Sequence, residues 1–218
     1  MSSFKRFLFP AAFFAAFMVC AVSFSKSGKT SELSADPANI SNDFFQIGSE
    51  TLFKTRTGKV AFTSNAPLEN IKAESNNLRG VVDTAGSTFA FTMDIISFKG
   101  FNSELQRTHF NENYLETNKY KSASFVGKII EKVQFADLGT YQVRAKGYLT
   151  IHGIRRERII PVQIAVGENE ITITSEFEIV LSDHGIKIPR IVYEKISPEV
   201  SINVRAILYP EHSNANDQ

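Results

Sequence analysis

The chain has no tryptophan, a single cysteine (Cys20), three methionines and four histidines. One thiol cannot close a disulfide within the chain, so the fold rests on core burial rather than cross-links. Neither sign of charge dominates, with 24 basic residues against 23 acidic ones. A polyanion partner needs a basic face, and the densest cluster, Arg155-Arg156-Glu157-Arg158, is too short to make one. It reads as a solvated strand end, and nucleic acid is set aside. Catalytic motifs are missing too. His109, His152, His184 and His212 form no i, i+4 pair and no HExxH or CxxC pattern, so no metal site is expected. His152 and His184, each beside a glycine at a strand end, read as rings bonded to backbone at turns. Ser182-Asp183-His184 has the residue types of a hydrolytic relay, but neighbours on an extended chain point to opposite faces. With no Gly-x-Ser-x-Gly elbow either, no catalytic residue is assigned and no cofactor is expected.

One long apolar run is present, at the start. Lys5 and Arg6 precede the uncharged stretch Phe7 to Val22, and Ala21, Ser23 and Ser25 follow as small residues. That is the layout of a secretory signal cut after Ser23 or Ser25. At about 16 residues the run is short for a membrane span, an uncleaved anchor being the alternative. Cys20 follows Phe17-Met18-Val19, a poor context for lipid attachment. Losing Lys5 and Arg6 takes the net charge from +1 to +1 − 2 = −1. The expected organisation is a signal over 1–25, a flexible linker over 26–44, one β-domain over 45–210 and a frayed tail over 211–218. The protein is expected in the periplasm or outside the cell.

Within the domain, alternation at a period of two dominates. Val60 and Phe62 share a face in Lys59–Ser64, and a strand from about Ile71 to Asp83 loses phase at Asn76-Asn77, which predicts a bulge. Phe89, Phe91, Met93 and Ile95 alternate next, after a turn at Thr84-Ala85-Gly86-Ser87. A single helix is expected over Glu104–Thr117, and five strands over Ser122–Val133, Thr140–Ile151, Glu157–Val166, Glu170–Leu181 and Glu199–Tyr209. Eight antiparallel strands in hairpin order make a sandwich or a closed barrel. Tyr141, Val143, Ala145 and Gly147 shrink along one strand, which favours an interior open at one end.

Four segments resemble the YceI-like family, exported proteins with a lipocalin-like antiparallel barrel associated with polyisoprenoid lipids. Gly58-Lys59-Val60-Ala61-Phe62 is similar to the family's opening Gly-x-Val-x-Phe strand. His109-Phe110 through Tyr120, with Phe125, is similar to its His-Leu/Phe … Lys-Tyr-Pro-x-x-x-Phe segment. Gly147-Tyr148-Leu149-Thr150-Ile151-His152-Gly153-Ile154 is similar to Gly-x-Leu-Thr-x-His-Gly-Val, and Asp183-His184-Gly185-Ile186 to Asp-Phe-Gly-Ile. The chain departs in carrying Lys121 for the proline, His184 for the aromatic, and Gln106-Arg107-Thr108-His109 for an Arg-Asp-x-His lead-in. The resemblance implies an all-β fold, an eight-stranded antiparallel lipocalin-like barrel with one short helix at its mouth.

It also implies a function, the non-catalytic carriage or sequestration of an isoprenoid or fatty chain. The residues expected to line the cavity and mouth are Phe89, Phe91, Met93, Phe98, His109, Phe110, Tyr114, Leu115, Phe125, Val143, Ala145, Phe177 and Ile179. Phe110, Tyr114 and Leu115 recur at helical spacing and read as a lid, or equally as a plug. Arg107, His109, Lys119 and Arg144 are the candidates for orienting a headgroup. Burying hydrocarbon gains about 0.8 kcal/mol per CH₂, so little polar apparatus is needed. Transient membrane contact and a homodimer are compatible with this reading. Two alternatives stand beside it, an envelope interaction module with a filled barrel and an enzyme acting on a lipid-like substrate.

Overall fold

The alternating apolar positions become the inner face of a barrel. The computed structural model describes residues 52–211; Cys20, the signal, the linker and His212 lie outside them. Eight strands follow in chain order: β1 (Leu52–Asn65), β2 (Asn70–Asp83), β3 (Thr88–Asp94), β4 (Ser122–Ile129), β5 (Gly139–Ile151), β6 (Ile154–Val166), β7 (Ile171–Val180) and β8 (Glu199–Pro210). Each pairs antiparallel with the next, and β8 returns to β1, closing the barrel. Closure removes the edge strands that an open sheet would leave to aggregate.

Antiparallel order sends successive connections to opposite ends. Residues 66–69, 95–121, 152–153 and 181–198 cap one end, here the upper; 84–87, 130–138 and 167–170 cap the lower. Lower down, Ile164, Val166, Ile171 and Leu208 are buried and fill the barrel. Tyr141, the large end of the tapering series, stands at that end and donates its hydroxyl to the Gln134 carbonyl (3.1 Å).

The bulge falls where the phase is lost. Pairing jumps from Gly58↔Leu78 to Val60↔Ser75, stepping over Asn76 and Asn77. The Asn77 amide bonds Ser75 Oγ (3.1 Å), and Asn77 Oδ1 accepts from the Asp94 amide (3.3 Å).

Other bounds differ from the sequence reading. β1 begins at Leu52, seven residues before the expected Lys59, because its lower half pairs β2 from Leu52↔Asp83. β4 ends at Ile129 and not at Val133; beyond Ile130 the chain turns so that Glu131 meets Arg144 (2.7 Å). The helix is shorter than Glu104–Thr117. α1 covers Glu104–His109, with Ser103 Oγ capping the Gln106 amide (3.1 Å), and a π-helical turn follows over Phe110–Tyr114. Asn111 Nδ2 donates to the Arg107 carbonyl (3.0 Å), Leu115 bonds back to Phe110, and Glu116 at φ +43° stops the coil. Residues 181–184 form a 3-10 turn (Leu181–His184) rather than extended chain.

Candidate functional site

A cavity of about 590 Å³ occupies the middle and upper barrel. Its wall is built by the inward positions of all eight strands, and its roof by α1, the π-helical turn and residues 192–196. All thirteen residues singled out in the sequence line it. Phe89, Phe91 and Met93 come from β3, Phe125 from β4, Val143 and Ala145 from β5, and Phe177 and Ile179 from β7. The interior is therefore hollow above a packed base.

The roof is aromatic. Phe110 stacks on Phe62 (centroids 5.4 Å, 10° between planes) and meets Phe101 (5.0 Å) and Phe98 edge-on (5.7 Å). Phe62 also meets Phe98 edge-on at 5.2 Å, so four rings close one side. The π-helical turn makes this possible: Phe110 and Leu115 come five apart along a single bonded turn, Phe110 facing the ring cluster and Leu115 packing with Ile95 and Ile186. Phe110 and Leu115 both form part of the roof.

Polar groups are few and sit around the rim. Glu69 is held by Gln106 Nε2 (2.9 Å) and Asn102 Nδ2 (3.4 Å), so its charge is committed to α1's approach. His109 and Lys195 line the cavity yet are exposed, as is Leu105 at 64 %, and together they mark where it reaches the surface. Tyr114 also lines it, and partial burial raises its phenol above the ordinary value. Glu69, Leu105, Gln106, Val192 and Lys195 were not anticipated. Strand parity could have found them: 66–69, 95–121 and 181–198 must share an end.

Three of the four headgroup candidates are placed elsewhere. Arg144, between inward Val143 and Ala145, points outward to Glu131 (2.7 Å). Arg107 pairs with Glu104 (3.5 Å), and Lys119 lies over the Tyr120 ring (4.8 Å). Only His109 lines the cavity.

The two upper histidines bond main chain. His184 is fully buried, and its Nδ1 lies 3.2 Å from the Ile154 carbonyl; among the described residues its Nε2 has no hydrogen-bond partner. Burial holds its pKa below the ordinary imidazole value. Ser182 and Asp183 share its 3-10 turn, so the alternation argument fails there, but His184 is turned into the core and away from any nucleophile. His152 places Nδ1 3.1 Å from the His184 carbonyl and Nε2 2.6 Å from Glu116, with the Tyr120 ring edge-on at 4.4 Å. Glu116 and His152 both have positive φ (+43° and +50°), so two strained residues clamp the roof segment to the β5–β6 turn. Among the described residues no cluster of three metal-ligating side chains occurs.

Residues 32–208 match the sequence profile described as the YceI-like domain. Two solved structures share the fold. A polyisoprenoid binding domain from Saccharophagus degradans, implicated in plant cell wall breakdown, superposes with a TM-score of 0.64 at 15 % identity, covering 74 % of this chain and 99 % of that one. BcnA of Burkholderia cenocepacia gives 0.58 at 18 % identity, covering 69 % and 95 %. At those identities the likeness concerns the barrel itself. No curated protein matches the chain.

Proposed function

The chain belongs to the YceI-like family, and on that footing we propose that its barrel takes up the apolar chain of a lipid, isoprenoid or fatty, without transforming it. The observation that carries this reading is the hollow. Sequence length and patterning would equally have suited a filled core, yet about 590 Å³ is left open above the packed base, walled by Phe, Ile, Val and Met. Small-molecule sites fall between about 300 and 1,000 Å³ and are mostly apolar with a few polar groups near the opening. The description of the Saccharophagus relative as polyisoprenoid-binding supports the same ligand class.

Binding without chemistry is supported by how the polar groups are used. Glu69 is tied to α1, while His152 and His184 are spent on main-chain carbonyls. The signal layout at residues 1–25 supports export to the periplasm or beyond.

The test is extraction of the purified protein followed by mass spectrometry, alongside titration with a fluorescent fatty probe. A stoichiometric lipid, or saturable one-to-one probe uptake, is expected. Ala145→Phe puts a ring into the hollow and should weaken both while the barrel stays folded. A wild-type barrel that carries no lipid and takes up no prenyl or fatty probe would sink the reading.

A further inference from the structure

At the β6–β7 junction the main-chain ladder stops short. β6 has thirteen residues and β7 ten, yet among the described residues they pair only from Gln163↔Thr174 down to Val166↔Ile171. Above that point, Ile154–Val162 and Ser175–Val180 face each other without a ladder. The reason is visible in β6. In an antiparallel ladder a residue's N–H and C=O address the same neighbour. The Pro161 carbonyl is reached from β7 by Ser175 Oγ (2.7 Å), so the N–H that proline lacks is the one β7 would need. Pro161 lies two residues beyond Gln163, the last paired position, where the next bonded pair would form.

Side chains span the seam instead. Arg158 donates to the Glu178 carbonyl (2.8 Å) and Arg156 to the Asp183 carbonyl (2.8 Å), in addition to the Ser175 bond. Inside the seam, Ile160, Val162, Ser175, Phe177 and Ile179 line the cavity. Outside it lies a shallow cleft that extends from β5 across to β1 and takes in Pro161, Val162, Gln163, Thr174, Ser175 and Glu176 of the seam. Val162 and Ser175 of the seam, with Val204 of β8 beside them, belong to both linings, so one layer of side chains separates the cavity from solvent. At the top, by contrast, a cluster of four rings and the Glu116–His152 clamp hold the roof, leaving only the rim at Leu105, His109 and Lys195.

We infer that the β6–β7 seam is a lateral portal, through which an apolar chain slips sideways into the cavity when the Arg158 latch releases. The inference rests on the lipid-binding reading and adds the route. A long chain then enters broadside and need not thread end-first past Phe110.

The test compares wild type with two substitutions that act oppositely on the seam and line no part of the cavity. Pro161→Thr supplies the missing donor, lets the ladder extend and closes the seam. Arg158→Met keeps the aliphatic stem and removes the latch. Stopped-flow uptake and release of a fluorescent fatty probe should be slower in Pro161→Thr and faster in Arg158→Met. Each change should be roughly fivefold, the effect of one net hydrogen bond on an opening equilibrium. The equilibrium affinity should not move, because both rates shift together. Amide exchange at Glu176 should slow in Pro161→Thr, which reads the seam directly. Equal rates in all three proteins would overturn the portal while leaving the lipid reading intact, as would rates that fall in both variants. A wild-type chain that takes up no probe overturns both.

Discussion

At the scale of single residues, His184 is the most consequential. Its ring is buried with one nitrogen bonded to Ile154 and the other unpartnered among the described residues, and burial lowers its pKa. The unfolded ring titrates near its ordinary value of about 6.5. Below that value the unfolded chain binds a proton that the folded chain refuses, so stability present above pH 6.5 is lost on acidification. The melting temperature should therefore fall between about pH 7 and pH 5, and His184→Phe, which cannot titrate, should flatten that part of the profile. Glu131, whose carboxylate Arg144 holds low, contributes in the same direction but at lower pH, below about 4.5. His152→Asn tests the clamp. Asparagine tolerates positive φ, so the backbone is not strained further, and lost side-chain bonds should cost about 1–3 kcal/mol in chemical denaturation. The sequence showed these histidines bonding backbone beside glycines. It did not show Glu116, 36 residues from His152, because nothing local marks a partner across the barrel mouth.

Among the elements, the strands were legible and the coils between them were not. Period-two alternation is a local signal, and it located the inward residues of β1, β3 and β5, as well as the bulge at Asn76-Asn77. Helix length was misread because Phe110, Tyr114 and Leu115 repeat at a spacing that an α-helix and a π-turn both satisfy. The choice was made by Asn111 bonding Arg107 and by the left-handed Glu116. The 3-10 turn at 181–184 carries no periodicity at all and is held by His184's burial. The glycines Gly127 and Gly147 face each other where β4 and β5 approach closely. A Cβ on Gly147 would stand 2.4 Å from the Val126 carbonyl oxygen, against backbone that cannot swing aside. Gly147→Ala should thus destabilise by about 1–3 kcal/mol, read from a urea midpoint, with the strands pushed apart.

For the whole molecule, the shrinking series on β5 pointed the right way. Tyr141 stands at the packed end, Val143 and Ala145 line the hollow, and Leu149 then restores bulk near the roof. Whether eight strands enclose a cavity or a plug depends on how inward side chains from every strand sum at each level, a quantity no single strand carries. The roof is where that sum can be altered cheaply. Phe110→Ala removes a ring shared by Phe62, Phe98 and Phe101, and should lower stability by about 3 kcal/mol in denaturation, since aromatic truncations in packed clusters cost about that much.

The barrel's closure has a practical consequence. Because β8 returns to β1, Leu52 and Glu211 are joined by a main-chain bond of 2.8 Å, and both stand at the packed base. A tag, fusion or solid support attached through either flank would leave from that base, with the aromatic roof and its rim turned outward. A short loop joining 211 to 52, with new ends cut into the exposed residues 136–138, should give a circular permutant that folds and keeps the hollow. On the proposed function, the same barrel would serve as the receptor of a surface-mounted lipid sensor, oriented by its own strand order.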